Sequence, residues 1–330
     1  MRNIILQIGA IVVMVFFFGA CSGDDSSVIP DQPEEETQAP EEVSKTPGEL
    51  DNDTLHIKLD LSRGGAISYI SISGTSRNLV NIHDEGRYVQ QSYYAGYGID
   101  RQDEGQNSGW TPWPWNPIQV GDSYGNRAEI LKSTQEGNTL YVKCIPMLWD
   151  MRNEPAEAEM EQWTTLMGNI IKVHNKLTCH RTDNLFEEEV NRDQELPAVY
   201  LISSLKTLYA YLGKAPFTGA PLNKPEVIDI TSDSMEKYFV DNTVSENWMA
   251  FVDDDLWGMA VYNPTCNNFL AGMFLDPGGE ATDNPTSYIS PIKKVILNKN
   301  SVFEYDYYLI IGKLDEIRAQ IYILNKIADK

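Results

Sequence analysis

Alternation of apolar and polar side chains, one residue at a time, runs through most of this chain and restricts what it can fold into. Residues 54–61 read Thr-Leu-His-Ile-Lys-Leu-Asp-Leu, and residues 66–73 repeat the pattern after two glycines. A period of two suits half-buried antiparallel strands, because successive side chains of a strand point to opposite faces. Further predicted strands are residues 87–94, 139–148, 169–178, 248–252, 258–262 and 302–311.

Only the C-terminal segment has a clear helical period. Leu314, Ile317 and Ile321 recur on one helix face, and Asp315 lies in the first turn, where the helix dipole favours an acid. From residue 54 onward there are roughly 275 residues, enough for one large core, and no linker or internal repeat divides them. We therefore predict a single all-β domain over residues 54–330, with two packed antiparallel sheets and a short C-terminal helix.

The N terminus predicts export. Arg2 precedes an apolar segment, residues 4–18, that is too short for a comfortable transmembrane helix of roughly 20 residues. A glycine and an alanine then lead directly to Cys21. This layout resembles a bacterial lipobox, which implies that residues 1–20 are a lipoprotein signal peptide and that Cys21 carries lipid after cleavage. The alternatives are an ordinary signal peptide or a short membrane anchor.

Residues 21–53 are predicted to form a disordered acidic tether. Residues 22–53 hold eleven acids and one base, Lys45, so they account for −10 of the formal charge of −22. A proline-interrupted segment that buries so little apolar surface cannot offset its chain entropy. The Ser-Gly-Asp-Asp after Cys21 resembles the tag that sends some Gram-negative lipoproteins to the outer face of the outer membrane. We expect a cell-surface protein that meets the membrane only through its lipid anchor.

Charge and residue spacing exclude several classes of protein. A strongly acidic chain is a poor partner for nucleic acid and other polyanions. The histidines, and the cysteines other than Cys21, match no metal-ligand pattern, so we expect buried apolar cysteines and no metal. One disulfide is the alternative for the cysteines. No phosphate-binding, dinucleotide-binding or nucleophile-elbow motif occurs, so no cofactor is expected.

The densest polar segment, residues 78–126, is the strongest candidate for a binding site. Three tryptophans fall within six residues and alternate with prolines, which predicts a stiff loop that displays aromatic rings. Sugar rings have apolar C–H faces that stack on such surfaces. We predict a sugar platform at Trp113 and Trp115, with Asn116 and Gln119 beside it. The alternative is that the rings plug the end of the sandwich.

A second polar group precedes the tryptophans. If Arg87 begins a strand, Arg87 and Gln91 share one face and Gln90 lies on the other. Polar residues on both faces mean that some are buried, and buried polar groups need partners. Those partners are other protein groups or a ligand. We predict a ligand, specifically a glycan bound by His83, Arg87, Gln90, Gln91 and Tyr93.

Three carboxylates are candidate catalytic groups. Glu195 stands directly before an apolar segment, where a general acid or base is partly shielded from water. Glu161 lies beside Trp163 at the entry to an apolar segment, and Asp84 belongs to the polar segment. A glycosidase needs two carboxyl groups that flank the scissile bond. Glu195 and Asp84 are the predicted pair, with Glu161 in reserve.

One short segment carries a family resemblance. It reads Gly-Gly-Ala-Ile-Ser-Tyr-Ile at residues 64–70, followed by Gly74 and by Asn-Leu-Val-Asn at residues 78–81. It resembles the opening hairpins of galactose-mutarotase-like proteins. The resemblance implies a large antiparallel two-sheet β-supersandwich, a fold shared with several glycoside hydrolases and polysaccharide lyases. The chain lacks a recognisable pair of mutarotase histidines, and His174 lies in a strand-like segment, so the resemblance implies the fold rather than epimerase activity.

Three functions fit these residues. The leading hypothesis is a surface-tethered glycoside hydrolase that acts on a complex glycan. The first alternative is a non-catalytic glycan-binding lipoprotein, which would use the aromatic loop without a converging acid pair. The second is a polysaccharide lyase, in which Tyr93 or His83 removes a proton and Arg87 neutralises a uronate. The geometric difference is whether two carboxylates converge beside Trp113 and Trp115.

Overall fold

Eighteen strands and one α-helix make up the part of the chain that the computed structural model describes, which is residues 47–95, 101–110, 115–182, 192–227, 242–274 and 277–328. The first nine strands are β1 (Glu49–Asp51), β2 (Leu55–Asp60), β3 (Ala66–Ile72), β4 (Val89–Ser92), β5 (Pro117–Ile118), β6 (Glu129–Glu136), β7 (Thr139–Ile145), β8 (Met147–Leu148) and β9 (Ala158–Met167). The others are β10 (Ile170–Cys179), β11 (Arg192–Ile202), β12 (Thr207–Ala210), β13 (Asn242–Thr243), β14 (Trp248–Val252), β15 (Trp257–Tyr262), β16 (Asn268–Phe274), β17 (Thr286–Val295) and β18 (Val302–Lys313). Helix α1 spans Leu314–Ala328, and 3-10 helices span Gln102–Glu104 and Ser108–Trp110.

The strands form two antiparallel sheets. The first sheet has ten strands in the order β1-β2-β3-β4-β11-β17-β16-β13, with β5 paired to β4 and to β8. The second sheet has eight strands in the order β12-β14-β15-β18-β10-β9-β7-β6. The predicted fold class, an all-β two-sheet sandwich with a short C-terminal helix, is confirmed.

The core lies between the two sheets. Ile57, Val199 and Ile289 enter it from the first sheet, and Val142 and Leu309 enter it from the second. In β9 buried residues alternate with partly exposed ones, which is the period-two pattern of the sequence. The residues between the core positions therefore point away from the core, toward the outer side of each sheet.

The predicted boundary between tether and domain is wrong by one strand. Leu50 is 7% exposed, and β1 pairs with β2 in the register Leu50↔Ile57. The folded region therefore includes residues that the charge pattern assigned to the tether. Leu50 is buried in the core, and the carboxylate of Glu49 lies 3.0 Å from both His56 Nε2 and Lys58 Nζ of β2. The predicted signal peptide, Cys21 and the predicted tether up to residue 46 lie outside the described residues.

Helix α1 covers part of the outer side of the second sheet. Ile317 and Ile321 are fully buried and pack with Ala260 of β15 and Ile310 of β18. An amphipathic helix with this spacing buries one face and leaves the other in water. The helix prediction from the leucine and isoleucine spacing is confirmed.

A buried carboxylate, Glu246, lies beneath the helix. Its side chain is 0% exposed, and Arg318 of α1 forms an ion pair with it at 2.9 Å. The Tyr322 hydroxyl (2.8 Å), the Trp248 indole N–H (3.0 Å) and the Phe217 backbone N–H (2.8 Å) also donate to it. Burial acts to raise the pKa of Glu246, but these hydrogen bonds lower it below the usual value.

Candidate functional site

The candidate site lies on the outer face of the first sheet, meaning the side turned away from the second sheet. Val199 of β11 pairs with Ile289 of β17, and both belong to the main core. Tyr200 pairs with Tyr288 one position along, so both tyrosines point to the opposite side. A small separate cluster surrounds them there and contains Ala198, Leu270 and Ile292. This outer face therefore has an apolar and aromatic floor.

The carboxylate of Glu195 is held in this floor by two tyrosines. The Tyr94 hydroxyl donates to Glu195 Oε2 at 2.9 Å, and the Tyr288 hydroxyl donates to Oε1. Burial first, and the charge of Glu195 second, raises the pKa of both tyrosines well above the usual value. Both hydroxyls therefore stay protonated near neutral pH, and they orient the half-buried carboxylate.

Arg87 connects this floor to Asp84. Its guanidinium carbon lies 5.3 Å from the ring centroids of both Tyr200 and Phe274. Its Nε is 3.5 Å from Asp84 Oδ2, and its Nη2 donates to Asn284 Oδ1 at 3.2 Å. The predicted residues Asp84, Arg87 and Glu195 therefore all lie on this face, although no contact joins the two carboxylates.

The loop before β4 is fixed by the segment before β17. The Asn81 side-chain amide donates to the carbonyls of Asp283 and Pro285, both at 2.9 Å. Nδ1 of His83 is 3.0 Å from the Thr282 carbonyl, and the rest of the His83 side chain is exposed. These bonds set the rim of the site, and they place His83 at that rim rather than in the floor.

Two tryptophans border the same loop. A β-carbon at Gly86 would lie 2.9 Å from Cη2 of Trp149, so the loop packs directly against this ring. Trp110 meets Trp149 edge to face, with the ring centroids 5.7 Å apart. Both tryptophans are partly exposed. They offer partly exposed rings of the kind that the sequence predicted for a sugar platform at Trp113 and Trp115.

Asp150, next to Trp149, is a buried acid with one bonded oxygen. The Gln106 side-chain amide donates to Oδ2 at 2.6 Å, whereas Oδ1 has no partner within the described residues. Burial raises the pKa of Asp150 to about 6. A carboxyl whose folded pKa is raised stabilises the fold below its unfolded pKa, and this stability is lost as the pH rises through about 6.

We expect Asp150→Asn to remove this pH dependence. Between about pH 4 and pH 7 the parent should lose about 2–3 kcal/mol of unfolding free energy through this group, and the variant should not. Urea unfolding across this pH range measures the difference. Asp254→Asn, at a position 83% exposed, is the control and should keep the slope of the parent. Equal slopes for parent and Asp150→Asn would contradict the prediction.

Glu161 does not join the site. It lies on β9 in the second sheet, where the Tyr141 hydroxyl donates to Oε1 at 2.7 Å and Lys176 Nζ is 3.6 Å from Oε2. Its side chain points to the outer side of that sheet, away from the core, and Glu195 points to the outer side of the other. The prediction of Glu161 as a reserve catalytic group at the same site is therefore wrong.

The predicted glutamines are used inside the protein. Gln90 donates to two backbone carbonyls of the preceding loop and accepts the Val120 N–H. Gln91 accepts the hydroxyl of Tyr93 and donates to a backbone carbonyl of β9. Gln119 accepts the Gln91 N–H and donates to the carbonyl of a glycine. The three glutamines and Tyr93 are each at most 1% exposed, so the prediction that these four residues bind a ligand is wrong.

The ring of Trp115 plugs the sandwich. It is 1% exposed, its Nε1 donates to Glu157 at 3.3 Å, and the guanidinium of Arg181 lies 4.3 Å from the ring centroid. Asn116 is also 1% exposed. The alternative interpretation is confirmed for Trp115, and the predicted ligand roles of both residues are wrong. Trp113 lies outside the described residues.

Sequence reasoning missed four aromatic residues of the site. Tyr94 and Tyr200 belong to segments that contain predicted site residues, but the sequence predicts binding or catalytic roles only for their neighbours. Tyr288 and Trp149 lie far from those segments, and Tyr288 reaches Glu195 only because β17 pairs with β11. The period-two pattern of β11 gives no signal for Tyr200, because Tyr200 and Glu195 share a face only through the register shift between Glu195 and Val199.

The described residues contain neither a candidate metal site nor a candidate membrane-spanning helix. Among the residues described, no group of three histidine, cysteine or acidic side chains is arranged to hold a metal ion. In the same residues, no helix has the length and apolar character to cross a bilayer. Cys144, Cys179 and Cys266 are buried and free, which confirms the prediction of buried apolar cysteines.

The chain is similar in fold to several solved structures. A candidate aldose 1-epimerase from Escherichia coli K12 covers 82% of this chain and 99% of its own, at 11% identity and a TM-score of 0.48. A galactose mutarotase-like protein from Lactobacillus casei covers 80% of this chain and 99% of its own, at 8% identity and a TM-score of 0.45. An α-N-acetylgalactosaminidase from Bifidobacterium bifidum covers 83% of this chain and 37% of its own, at 9% identity and a TM-score of 0.44. No protein-family model and no curated protein matches the sequence.

Proposed function

We propose that this chain binds carbohydrate on the outer face of its first sheet. The observation that carries the proposal is the Glu195 carboxylate, held by two tyrosine hydroxyls in an aromatic floor. A sugar offers hydroxyl donors for a carboxylate and a C–H face for aromatic rings. Tyr200 is partly exposed and supplies such a ring, and it packs against buried Tyr288, with the ring centroids 4.8 Å apart. Trp149 supplies another at the border.

Glycan hydrolysis is the second candidate function. It is favoured by Asp84, which lies on the same face as Glu195 and has a side chain 45% exposed. Two carboxyl groups on one face are what an inverting or retaining glycosidase requires. Against it, Asp84 is paired with Arg87, so the acid has a partner already. Binding without hydrolysis therefore leads.

The lyase alternative has less support. Tyr93 is 0% exposed and donates to Gln91, so it cannot reach a substrate proton. Arg87 is paired with Asp84 rather than presented alone, so a uronate would have to displace that acid. A neutral sugar fits these charges better than an acidic one.

The test is Glu195→Gln in the full chain, measured as binding to a panel of neutral oligosaccharides and polysaccharides. We expect affinity to fall about 10- to 100-fold, because a hydrogen bond to a charged group is worth about 1.5–3 kcal/mol. Asp254→Asn, at a position 83% exposed and outside this face, is the control and should bind like the parent.

The outcomes separate the functions. If the parent releases sugar from a glycan and Glu195→Gln does not, hydrolysis is favoured. If the parent binds a glycan but releases no sugar, a binding protein is favoured. A parent that binds no glycan, or a Glu195→Gln variant with unchanged affinity, would overturn the proposal.

We also propose that the protein is anchored at the outer membrane through lipid on Cys21. The support is the sequence layout around Cys21 and the acidic residues that follow it. Replacing Cys21 with alanine should move the protein out of the membrane fraction, because the residue to which the acyl chains would be attached is then missing. Cell fractionation and metabolic labelling with a fatty acid measure this. An unlabelled parent protein would contradict the lipid anchor.

A further inference from the structure

The outer side of the second sheet has two regions that differ in composition and in exposure. On β15 and β18 it is apolar and lies under helix α1. On β7, β9 and β10 it consists of aromatic, charged and threonine side chains that are partly exposed, and within the described residues no helix packs over them. This second region is independent of the Glu195 site, which belongs to the other sheet.

An aromatic row crosses these three strands. Tyr141 of β7 pairs with Trp163 of β9, and Trp163 pairs with His174 of β10. The ring centroids are 4.9 and 5.2 Å apart, and the planes are tilted by 43° and 53°. Because cross-strand neighbours share a face, the three rings form one continuous strip at right angles to the strands.

Hydrogen-bonding groups lie beside this row. Tyr141 donates to Glu161 at 2.7 Å, and the hydroxyls of Thr139 and Thr165 are 2.8 Å apart. The groups remain partly exposed, so each keeps lone pairs or protons for an outside partner. The strip therefore combines flat apolar surface with polar groups at its edges.

The charges around the row compensate each other. Ion pairs join Lys143 to Glu159 (2.7 Å), Lys176 to Glu161 (3.6 Å) and Lys172 to Asp306 (3.4 Å). The chain as a whole carries a formal charge of −22, so a locally balanced surface stands apart from the rest. Such a surface has no net charge with which to attract a polyanion or a polycation.

We propose that the aromatic row of Tyr141, Trp163 and His174 is a second binding surface, which takes an extended neutral polysaccharide. The rings match the C–H faces of successive sugars, and the flanking hydroxyl and charged groups match their hydroxyls. A protein partner fits less well, because lysine and glutamate are depleted at the core of protein interfaces and here surround the rings.

The experiment uses the full chain in the Glu195→Gln background, so that the other sheet does not contribute. Native gels containing starch, xylan or galactomannan report binding as retarded migration. We expect at least one polysaccharide to retard this background protein. Adding Trp163→Ala should weaken the affinity about tenfold, and adding Trp163→Tyr should keep most of it, since a ring remains.

Folding is checked by circular dichroism, and Tyr141→Ala is the second variant if Trp163→Ala does not fold. No retardation by any of the three polysaccharides would overturn the inference. Equal retardation with and without Trp163→Ala would also overturn it. Glycan binding by the parent that is lost in Glu195→Gln alone would support the first site and reject this one.

Discussion

Replacing Glu246 with glutamine should lower the free energy of unfolding by about 3–5 kcal/mol. The carboxylate is fully buried and is the counter-charge for Arg318, whose side chain is only 13% exposed. Glutamine keeps the size of the side chain but leaves the guanidinium uncompensated, and its amide group faces the Trp248 and Tyr322 donors. Urea unfolding, followed by circular dichroism, measures the loss.

The matched control is Glu304→Gln on β18. Glu304 is 48% exposed and lies 3.7 Å from Lys176, and exposed ion pairs are worth at most about 1 kcal/mol. Because hydrogen bonds lower the pKa of Glu246, its contribution is present above the unfolded pKa and is lost as the pH falls through the folded pKa. The gap between parent and variant should therefore narrow in acid. A loss below about 1 kcal/mol at neutral pH would contradict the network.

Replacing Trp115 with alanine should also destabilise the fold by about 3–5 kcal/mol, as for other buried aromatic residues. The ring is 1% exposed, and alanine would leave a cavity beneath Arg181. Glycan binding per folded molecule should not change, because the ring offers no face to a ligand. Thermal unfolding and binding, measured on the same preparation, separate the two effects.

Trp115→Phe is the control for this prediction. It keeps an aromatic ring beneath the guanidinium and loses only the indole hydrogen bond to Glu157 (3.3 Å), so it should cost less than the alanine variant. If Trp115→Ala kept the stability of the parent and bound glycan more weakly, the ring would be a ligand platform after all.

The sequence predicted the two-sheet sandwich, but it could not predict which sheet carries each candidate carboxylate. Period-two alternation identifies which residues point outward from a regular strand. Glu161 meets that criterion, whereas Glu195 points outward only because the register of β11 shifts between Glu195 and Val199. The alternation does not reveal on which of the two outer sides each lies. That depends on strand order, and β11 lies between β4 and β17 in the first sheet while β9 belongs to the second. These pairings join residues far apart in the chain.

The polar residues around β4 were misjudged for a related reason. The sequence predicts a ligand for Gln90, Gln91 and Gln119, because nothing in a sequence shows which nearby backbone groups need hydrogen-bond partners. In irregular loops the backbone carbonyls and N–H groups have no neighbouring strand to bond with, and buried side-chain amides form hydrogen bonds with them instead. Trp115 is similar, because a tryptophan between prolines suits both a displayed ring and a plug.

The two tyrosines that hold Glu195 also bear on when the site can form. Tyr94 lies 101 residues before Glu195 in the chain, and Tyr288 lies 93 residues after it. During synthesis the carboxylate therefore has one of its donors early and waits for the other until nearly the whole domain has been made. Contacts of such long range form slowly, and strands without their neighbours are prone to aggregate. A chain truncated before β17 would thus hold half of the site and an unprotected strand edge, so the binding face should mature only after the last strands have been added.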